Sequence, residues 1–445
     1  MAITNAAGLN AMLKTYYKKN GLANTLLRAD PFLKTIKFER VEGKQQNFAA
    51  LYSTGGATSA NFLVSKRNAA ETAQAKEFQV TPGQLFSSCT FTPKEVLASK
   101  TQGGAYVKIA GAKMFAAGVS FRNTLALALY GTGHGEIYTT DSDIALVGGG
   151  TVEITLPNYA IAPLDIGSTI EFKATKSSTA VLAEGKVVKI GSGKITVSSE
   201  DSATVPAGSV ICLSGCTDSD GNPLLPIGLA GWLPTEDLAA TDSFFGVNRS
   251  VARDRLAGVY VKGSADKKKY EVIEEGILHL RRMGSLCDKI VMNDEDYLAL
   301  AREIEAKTTF QKTNGGTSKQ KAEIGYQGFG FSVSTNWLDN VIDSPFVPKG
   351  TAYILSSDTV ELWGYTNNDK VINDGQVAGN EPGKAEVNDG DDPSERAYQL
   401  LIDDMLTMSP GTDTSNGPAA LATMQLYGSF VLTNPSVNGV VTFAA

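Results

Sequence analysis

The sequence predicts an α+β protein made of several subdomains, because three kinds of pattern follow one another along its 445 residues. One long helix is expected between Gly104 and Tyr130. Short alternating strands with frequent turn residues are expected over 147–227. Helix and strand patterns then mix from Gly228 onward. A chain of this length should divide into roughly two to four subdomains.

Residues 1–45 are predicted to form an N-terminal arm, with a short helix over 6–18. Residues 24–40 have few periodic apolar positions, so they should become ordered mainly by lying on another surface. Residues 46–92 are predicted to form a long two-stranded excursion, in which Phe78 and Val80 alternate on the returning strand. An isolated hairpin is only marginally stable, so the excursion should rest on another domain or subunit.

The long helix is predicted to be a packed spine. Its apolar residues recur at steps of three and four and share one face: Val107, Ala110, Met114, Ala117, Phe121, Leu125 and Ala128. Gly104, Gly111 and Gly118 lie seven apart on a neighbouring stripe, and each costs roughly 1 kcal/mol relative to alanine. Close approach of another backbone is expected to compensate for that cost. A glycine C-cap is expected within 129–133.

The block 147–227 is predicted to be a self-contained insertion that forms a small β-barrel or sandwich. A tight hairpin is expected at 191–193. After it, 228–365 is predicted to hold a helix at 272–283, a strand at 289–292 and a second helix capped by Asn293 or Asp294. Near the end, a long strand is expected over 420–432.

The charge distribution is uneven, although the net charge of −7 argues against a nucleic-acid binder by bulk charge. Residues 1–44 carry a net charge of +5, and residues 369–404 carry −7. These segments indicate surfaces that face different surroundings, or simply solvated loops. No apolar run is long enough to span a bilayer, and no secretory signal pattern opens the sequence. The four cysteines have no metal-ligand spacing, which favours reduced thiols made in a cytoplasm.

No catalytic, cofactor or metal site is predicted. His279 lies beside an apolar helical stripe and is predicted to be structural, whereas His134 lies in a glycine loop with Glu136. That loop follows a helix and lacks the phosphate-binding Gly-Lys-Ser/Thr pattern. Residues 218–222 begin like a calcium loop, but Leu229 occupies the glutamate position, so a turn is favoured. A chain without such a site is more easily explained as a building block than as an enzyme.

Several stretches, taken in order, resemble tailed-bacteriophage major capsid proteins of the HK97-type family. Residues 76–97 look like the return strand of the family's extended loop and its entry to the spine. Residues 122–133, which end in LALALYGTG, are similar to the end of the spine helix. Residues 287–293 look like the central strand of the axial domain, and 326–334 and 350–355 look like the strands that follow. The resemblance covers most of the chain outside 147–227.

The resemblance implies an HK97-like fold with an inserted β domain. The implied parts are the N-terminal arm (1–45), the extended loop (46–92), the first part of the peripheral domain with the spine helix (93–146), the inserted β domain (147–227), the axial domain (228–365) and the second part of the peripheral domain (366–445).

The resemblance also implies a structural protein that self-assembles, as hexamers and pentamers, into the icosahedral head shell of a tailed phage. The shell would enclose double-stranded DNA, held nonspecifically by the basic arm and spine. Portal, scaffolding or decoration proteins are implied partners. The virion is the implied location, after assembly in the host cytoplasm, with no membrane and no cofactor involved. The expected intersubunit contacts are Tyr52, Lys66, Arg67, Lys76 and Phe78.

Two other functions stay open from the residues alone. One is a phage or cell surface or appendage protein that binds carbohydrate or protein through 147–227. The other is an enzyme that uses His134 and Glu136. Some members of the resembled family cross-link a loop lysine to an asparagine. The spacing of Lys66 or Lys76 relative to Asn434 and Asn438 does not support that bond here.

Overall fold

A computed structural model describes residues 30–41, 46–55, 58–69, 73–91, 109–305, 331–333, 336–338, 340–365, 399–401 and 420–444. The expected helix at 6–18, the start of the long helix at Gly104 and the acidic stretch 366–393 lie outside these residues.

The described α-helices are α1 (Phe62–Asn68), α2 (Ile109–Tyr130), α3 (Asn158–Ile161), α4 (Leu229–Trp232), α5 (Arg253–Leu256), α6 (Lys269–Arg282) and α7 (Asp294–Glu305). The described strands are β1 (Lys37–Arg40), β2 (Gln46–Ser53), β3 (Gln74–Val80), β4 (Gly83–Phe91), β5 (Glu136–Thr139), β6 (Ile144–Ala145), β7 (Gly150–Thr155), β8 (Thr169–Lys173), β9 (Val181–Gly191), β10 (Lys194–Ser199), β11 (Thr204–Val205), β12 (Val210–Leu213), β13 (Val259–Lys262), β14 (Lys289–Met292), β15 (Phe331–Val333), β16 (Asn336–Leu338), β17 (Asn340–Asp343), β18 (Thr351–Leu355), β19 (Val360–Gly364), β20 (Gln399–Leu401), β21 (Ala420–Leu432) and β22 (Gly439–Thr442).

The long helix α2 ends at Tyr130, as predicted, and packs along β4 and β21. The Ser87 hydroxyl of β4 donates a 3.0 Å hydrogen bond to the carbonyl oxygen of Ala117. The predicted reason for the glycine stripe does not hold at Gly118 among the described residues, where an added Cβ would meet the Met424 side chain, with its methyl group at 3.5 Å. That separation is ordinary van der Waals contact, so no described backbone segment requires this glycine.

The end of α2 is followed by a glycine turn within 129–133, the range in which a glycine cap was expected. Gly131 donates to the Ala128 carbonyl at 3.2 Å without adopting a positive φ. The left-handed residue is Gly133, with φ +91°. Its position is crowded, because an added Cβ would lie 2.9 Å from the Leu225 carbonyl oxygen. The chain therefore turns at Gly133, within the predicted stretch, and it does so against the segment that returns from the inserted block.

The first large sheet has the order β1-β19-β21-β20, and β4 pairs with β21 along its other side. The predicted excursion of 46–92 is therefore two-stranded only in β2 and β3, because β4 belongs to this sheet. The switch occurs at Gly83, whose Cα approaches the Leu225–Pro226 backbone too closely for any side chain.

The arm segment 30–41 lies on the core of its own chain. Strand β1 runs parallel to β19 at the sheet edge. Phe32, Leu33 and Ile36 are buried with the end of α2 in the largest apolar cluster. The surface that this segment was expected to lie on is therefore the core of its own chain.

The inserted block is an antiparallel sheet of order β5-β12-β8-β9-β10-β7, with a β6–β11 ribbon that shares its apolar core. The hairpin at 191–193 is present as predicted. The sheet is open, with β5 and β7 at its edges, so its described strands do not close into a barrel. Its strands span 136–213 rather than 147–227, since the glycine run predicted as a boundary enters β7. Cys216 and Leu225 pack in the main core instead.

The second large sheet has the order β13-β22-β18-β14-β17, and α6 packs on it. Helix α6 and strand β14 are present as predicted. The predicted cap is confirmed too, because Asn293 Oδ1 accepts from the Glu295 amide at 3.0 Å. On α7, Leu298 is 52% exposed, whereas Leu300 is buried. The α+β mixture around several sheets agrees with the predicted fold class.

Candidate intersubunit contact site

The candidate site is the projecting hairpin of β2 and β3, with α1 between the two strands in the chain. The strands pair antiparallel, and Phe48 lies directly opposite Phe78. At the root, the Gln79 amide donates to the Phe245 carbonyl at 2.9 Å. The Arg255 guanidinium donates to the Tyr52 carbonyl nearer the far end of β2.

An aromatic cluster holds the root of the hairpin in the core. The Phe78 ring lies 5.2 Å from Phe48 and 5.4 Å from Trp232, measured between centroids. Trp232 donates its Nε1 hydrogen to the Phe430 carbonyl at 2.7 Å, and Phe244 lies edge-on to it at 4.9 Å. Rings at these separations stabilise each other beyond simple burial. The hairpin therefore leaves the body from a rigid base.

Phe78 is corrected as a contact residue. Its side chain has no exposed surface, and it packs on the aromatic cluster of its own chain. The alternation of Phe78 and Val80 was predicted, but the face they share points into the subunit. A residue without accessible surface in this conformation is not available to a neighbour.

The other predicted contact residues occupy the outer part of the hairpin. Lys66 and Arg67 are exposed in the last turn of α1, and Lys76 is exposed on β3. Tyr52 is half-buried, and its hydroxyl donates to Gln74 Oε1 on the facing strand. All four lie on the same hairpin, although Tyr52 also packs against the main apolar core. Their contact role stays a prediction.

Sequence reasoning missed the apolar residues of the same projection. Phe62 and Leu63 of α1 are 77% and 73% exposed, and Leu51 of β2 is 64% exposed. No residue of α1 is buried, although Asn61 caps the helix by accepting from the Leu63 amide at 2.9 Å. The signal was available, since residues 62–64 are the one run of large apolar side chains between Tyr52 and Phe78.

A second exposed aromatic surface lies on the sheet face opposite α2. Phe86 of β4 and Tyr427 of β21 pack edge to face at 5.6 Å, and both are more than a third exposed. Beside them, the hydroxyls of Ser88 and Thr423 are 3.0 Å apart.

His134 and Glu136, the residues of the enzymatic alternative, both contact Thr132 within one loop. Glu136 accepts a hydrogen bond from the Thr132 amide at 2.5 Å, and His134 Nδ1 lies 3.0 Å from the Thr132 hydroxyl. Burial lowers the pKa of His134. His279, predicted to be structural, is exposed on α6. Among the described residues, no group of three or more His, Cys, Asp or Glu side chains is arranged to hold a metal.

The calcium-like loop is a turn, as favoured from the sequence. Asp218 Oδ1 accepts from the amides of Asp220 and Asn222 at 2.9 and 2.7 Å, so its own loop uses the carboxylate.

Burial raises the pKa of the Cys212 and Cys216 thiols to about 12, which makes them poor nucleophiles.

Asn438 is buried, and its side-chain amide donates to Thr359 Oγ1 and to the Asn434 carbonyl, both at 2.8 Å. It is therefore a structural tie rather than an accessible cross-linking group.

None of the described helices combines the length and apolar character that a bilayer crossing requires.

No protein-family model matches the chain, and no curated protein matches it. Solved structures define the class of fold, which is that of phage capsid proteins. The capsid asymmetric unit of cyanophage A-1(L) is similar at 13% identity over 99% of both chains, with a TM-score of 0.55. The capsid of a native GTA particle is similar at 10% identity over the whole of both chains, with a TM-score of 0.46.

An encapsulin from Synechococcus elongatus is similar at 8% identity over 99% of this chain and 96% of its own, with a TM-score of 0.42. The cyanophage likeness carries the structural conclusion. The prediction of an α+β, HK97-type capsid fold is confirmed, and so is the resemblance to tailed-phage capsid proteins at the level of the fold.

Proposed function

We propose that this chain is a structural major capsid protein that self-assembles into the icosahedral head shell of a tailed phage and encloses its double-stranded DNA. The full-length likeness to a cyanophage capsid supports this function. The alternative of an appendage protein that binds through the inserted block gains no support, because the likeness spans the whole chain rather than that block.

The observation that carries the proposal is α1. A capped helix on a projecting hairpin exposes Phe62 and Leu63, and none of its own residues is buried. Burying one such side chain against a neighbour contributes about 1.5–3 kcal/mol. In a closed shell, the same small contact is repeated by symmetry at every subunit. A segment with little reason to protrude from a monomer is thus stabilising in an assembly.

The charged residues of the projection are assigned a supporting role. Lys66 and Arg67 lie one helical turn after Phe62 and Leu63 on α1, Lys76 lies on β3, and all three are exposed. Exposed ion pairs contribute little energy, but complementary charge guides orientation and association rate. We assign these lysines and the arginine, with Tyr52, to the rim of the contact.

The remaining assignments follow from the same proposal. Residues 1–44, with a net charge of +5, would attract packaged DNA nonspecifically, and this attraction weakens as salt rises. Hexamers and pentamers of this chain would meet portal, scaffolding or decoration proteins during assembly in the host cytoplasm. The chain itself would have a structural rather than an enzymatic role. The division into arm, loop, peripheral, inserted and axial domains belongs to this proposal too.

Electron microscopy and sedimentation of a double variant, Phe62→Ser with Leu63→Ser, test the proposal. We expect folded subunits that no longer form shells under conditions in which the wild type does. The control is Ile166→Ser in the inserted block, which removes an apolar side chain of similar exposure (66%) and should leave assembly intact. Normal shells from the double variant would refute the role of α1. A wild type that stays monomeric with its co-expressed phage proteins would refute the function.

A further inference from the structure

A buried carboxylate holds the start of segment 30–41. Asp30 has no exposed surface. The Tyr130 hydroxyl at the end of α2 donates to one carboxylate oxygen, and the Phe32 amide donates to the other at 3.0 Å. Ser344 supplies a further hydrogen bond. All three partners are neutral, and within the described residues no ion pair involves Asp30.

The groups that face Asp30 from the packed elements offer little compensation for a negative charge. Tyr130 comes from α2, and its ring stacks on Tyr353 of β18 at 6.0 Å. Asp343 at the end of β17 adds a second negative charge. The Lys289 ammonium of β14 sits 5.9 Å from the Phe32 ring centroid rather than on the carboxylate. Burial is the largest influence, and it raises the pKa of Asp30 to about 6 against the lowering effect of the hydrogen bonds.

A second carboxyl of the same segment faces a like charge. Glu39 of β1 forms a hydrogen bond with Glu361 of the neighbouring β19, and this bond raises the pKa of Glu39. Trp363 donates its Nε1 hydrogen to Glu361 at 2.7 Å. Two carboxyls within hydrogen-bond distance need a proton between them. The nearby Lys37–Asp358 ion pair, at 2.8 Å, is exposed on both sides.

We propose that residues 30–41 form a proton-dependent clasp, in which protonated Asp30 docks the segment against α2 and β19 and loss of the proton loosens it. The contact with the rest of the chain depends on Phe32, Leu33 and Ile36 as well, so ionisation weakens the clasp without abolishing it. Because Glu39 meets Glu361, the same proton dependence acts at both ends of the segment. This inference does not depend on the proposed function, since it concerns one chain.

The sign follows from the direction of the shift. A group whose pKa rises from 3.8 to about 6 on docking stabilises the docked form fully below pH 3.8. That stabilisation is lost as the pH rises through about 6. The docking equilibrium should weaken roughly fifty-fold between pH 4 and pH 7 on account of Asp30 alone.

Hydrogen exchange of the full chain tests the clasp. Protection of the amides of 32–41, corrected for intrinsic exchange, should fall by several tens of fold between pH 4 and pH 7 in the wild type. In Asp30→Asn, which keeps size and polarity but cannot ionise, most of this dependence should vanish. The matched control is Asp358→Asn, which touches the same segment through Lys37 and should keep the wild-type dependence. Equal pH profiles in the wild type and Asp30→Asn would overturn the proposal.

A second measurement covers the case in which Asp30→Asn fails to fold. The carboxyl carbon of Asp30 in the wild type should titrate near pH 6 by nuclear magnetic resonance. Removing the hydroxyl donor with Tyr130→Phe should move that midpoint upward, because a hydrogen bond to the ionised carboxylate is lost. A midpoint near 4 in the wild type would overturn the clasp.

Discussion

Gly228 shows how one backbone position fixes the junction between the inserted block and the body. Its amide donates to the Gly131 carbonyl at 3.2 Å, next to the end of α2. A Cβ added there would overlap the carbonyl oxygens of Ala128 and Leu129. Those atoms belong to helix backbone and have no flexible end that can yield. The requirement at Gly228 is therefore close approach and not a left-handed conformation, because its φ is −106°.

Gly228→Ala should lower the free energy of unfolding by about 3 kcal/mol, since backbone must move to admit the methyl group. Urea denaturation followed by circular dichroism measures the change. The matched control is Gly118→Ala within α2, where the nearest atom is the Met424 methyl group at 3.5 Å. That variant should be neutral or up to about 1 kcal/mol more stable, because alanine favours helix. Equal losses in both variants would contradict the packing argument.

The inserted block is an element that the chain enters and leaves at one place. The Leu213 amide donates to the Gly135 carbonyl at 2.9 Å, so the two ends of 136–213 are neighbours. Most of its buried apolar side chains form a cluster separate from that of the body, although Ala162 packs in the main core and Leu213 contacts both clusters. Polar contacts also cross the junction, such as Ser214 Oγ donating to Glu171 at 2.7 Å. Such a unit should be separable.

Excising 136–213 and joining Gly135 to Ser214 through a short Gly/Ser linker should leave a folded body. The expected result is a single cooperative thermal transition and a retained helix signal by circular dichroism. Excising 147–227 instead should give an unfolded or aggregated chain. That cut leaves β5 and β6 without partners and removes Leu225, which packs in the main core. Comparable folding of both deletions would contradict the boundaries described above.

The sequence predicted elements with strong local patterns and missed those defined by distant partners. The ends of α2 and β21, the α6–β14 unit and the hairpin at 191–193 each follow from a periodicity or turn within a short window. Strands β1 and β5 are four residues long and exist because β19 and β12 pair with them. No local window contains that information.

The candidate site shows the same division. That 46–92 should project as two strands was predictable, as was the charge on Lys66, Arg67 and Lys76. Which face of β3 is buried depended on Trp232, more than a hundred residues away, so Phe78 was assigned to the wrong side. The exposed Phe62 and Leu63 were overlooked because the surrounding residues are polar.

At the scale of the whole molecule, both large sheets are assembled from segments far apart in the chain. Strand β1 lies beside β19, and β22 lies between β13 and β18. The turn before β22 is tied in as well, since the Ser285 hydroxyl donates to the Val437 carbonyl at 2.6 Å. Central strands carry two ladders of hydrogen bonds and cannot be removed without exposing both neighbours. The second sheet should therefore unfold as one unit.

Truncation after Asn434 should abolish the cooperative unfolding of the second sheet, because β13 and β18 lose their shared neighbour. Limited proteolysis should then cut within β13 and β18, whose backbones pair with β22 in the intact chain. The matched control is truncation after Phe443, which keeps β22 whole and should preserve protection. Equal resistance of the two truncated chains would show that β22 is dispensable.

The late position of β22 in the chain also delays completion of the second sheet during biosynthesis. A ribosome releases β13 about 180 residues before it releases β22, the strand that pairs with it. Until then, β13 and β18 of the nascent polypeptide lack the strand that lies between them. The body that carries the projecting hairpin is therefore still incomplete. Newly made copies thus acquire a complete body, and with it a fixed geometry for meeting one another, only once synthesis of this stretch is over.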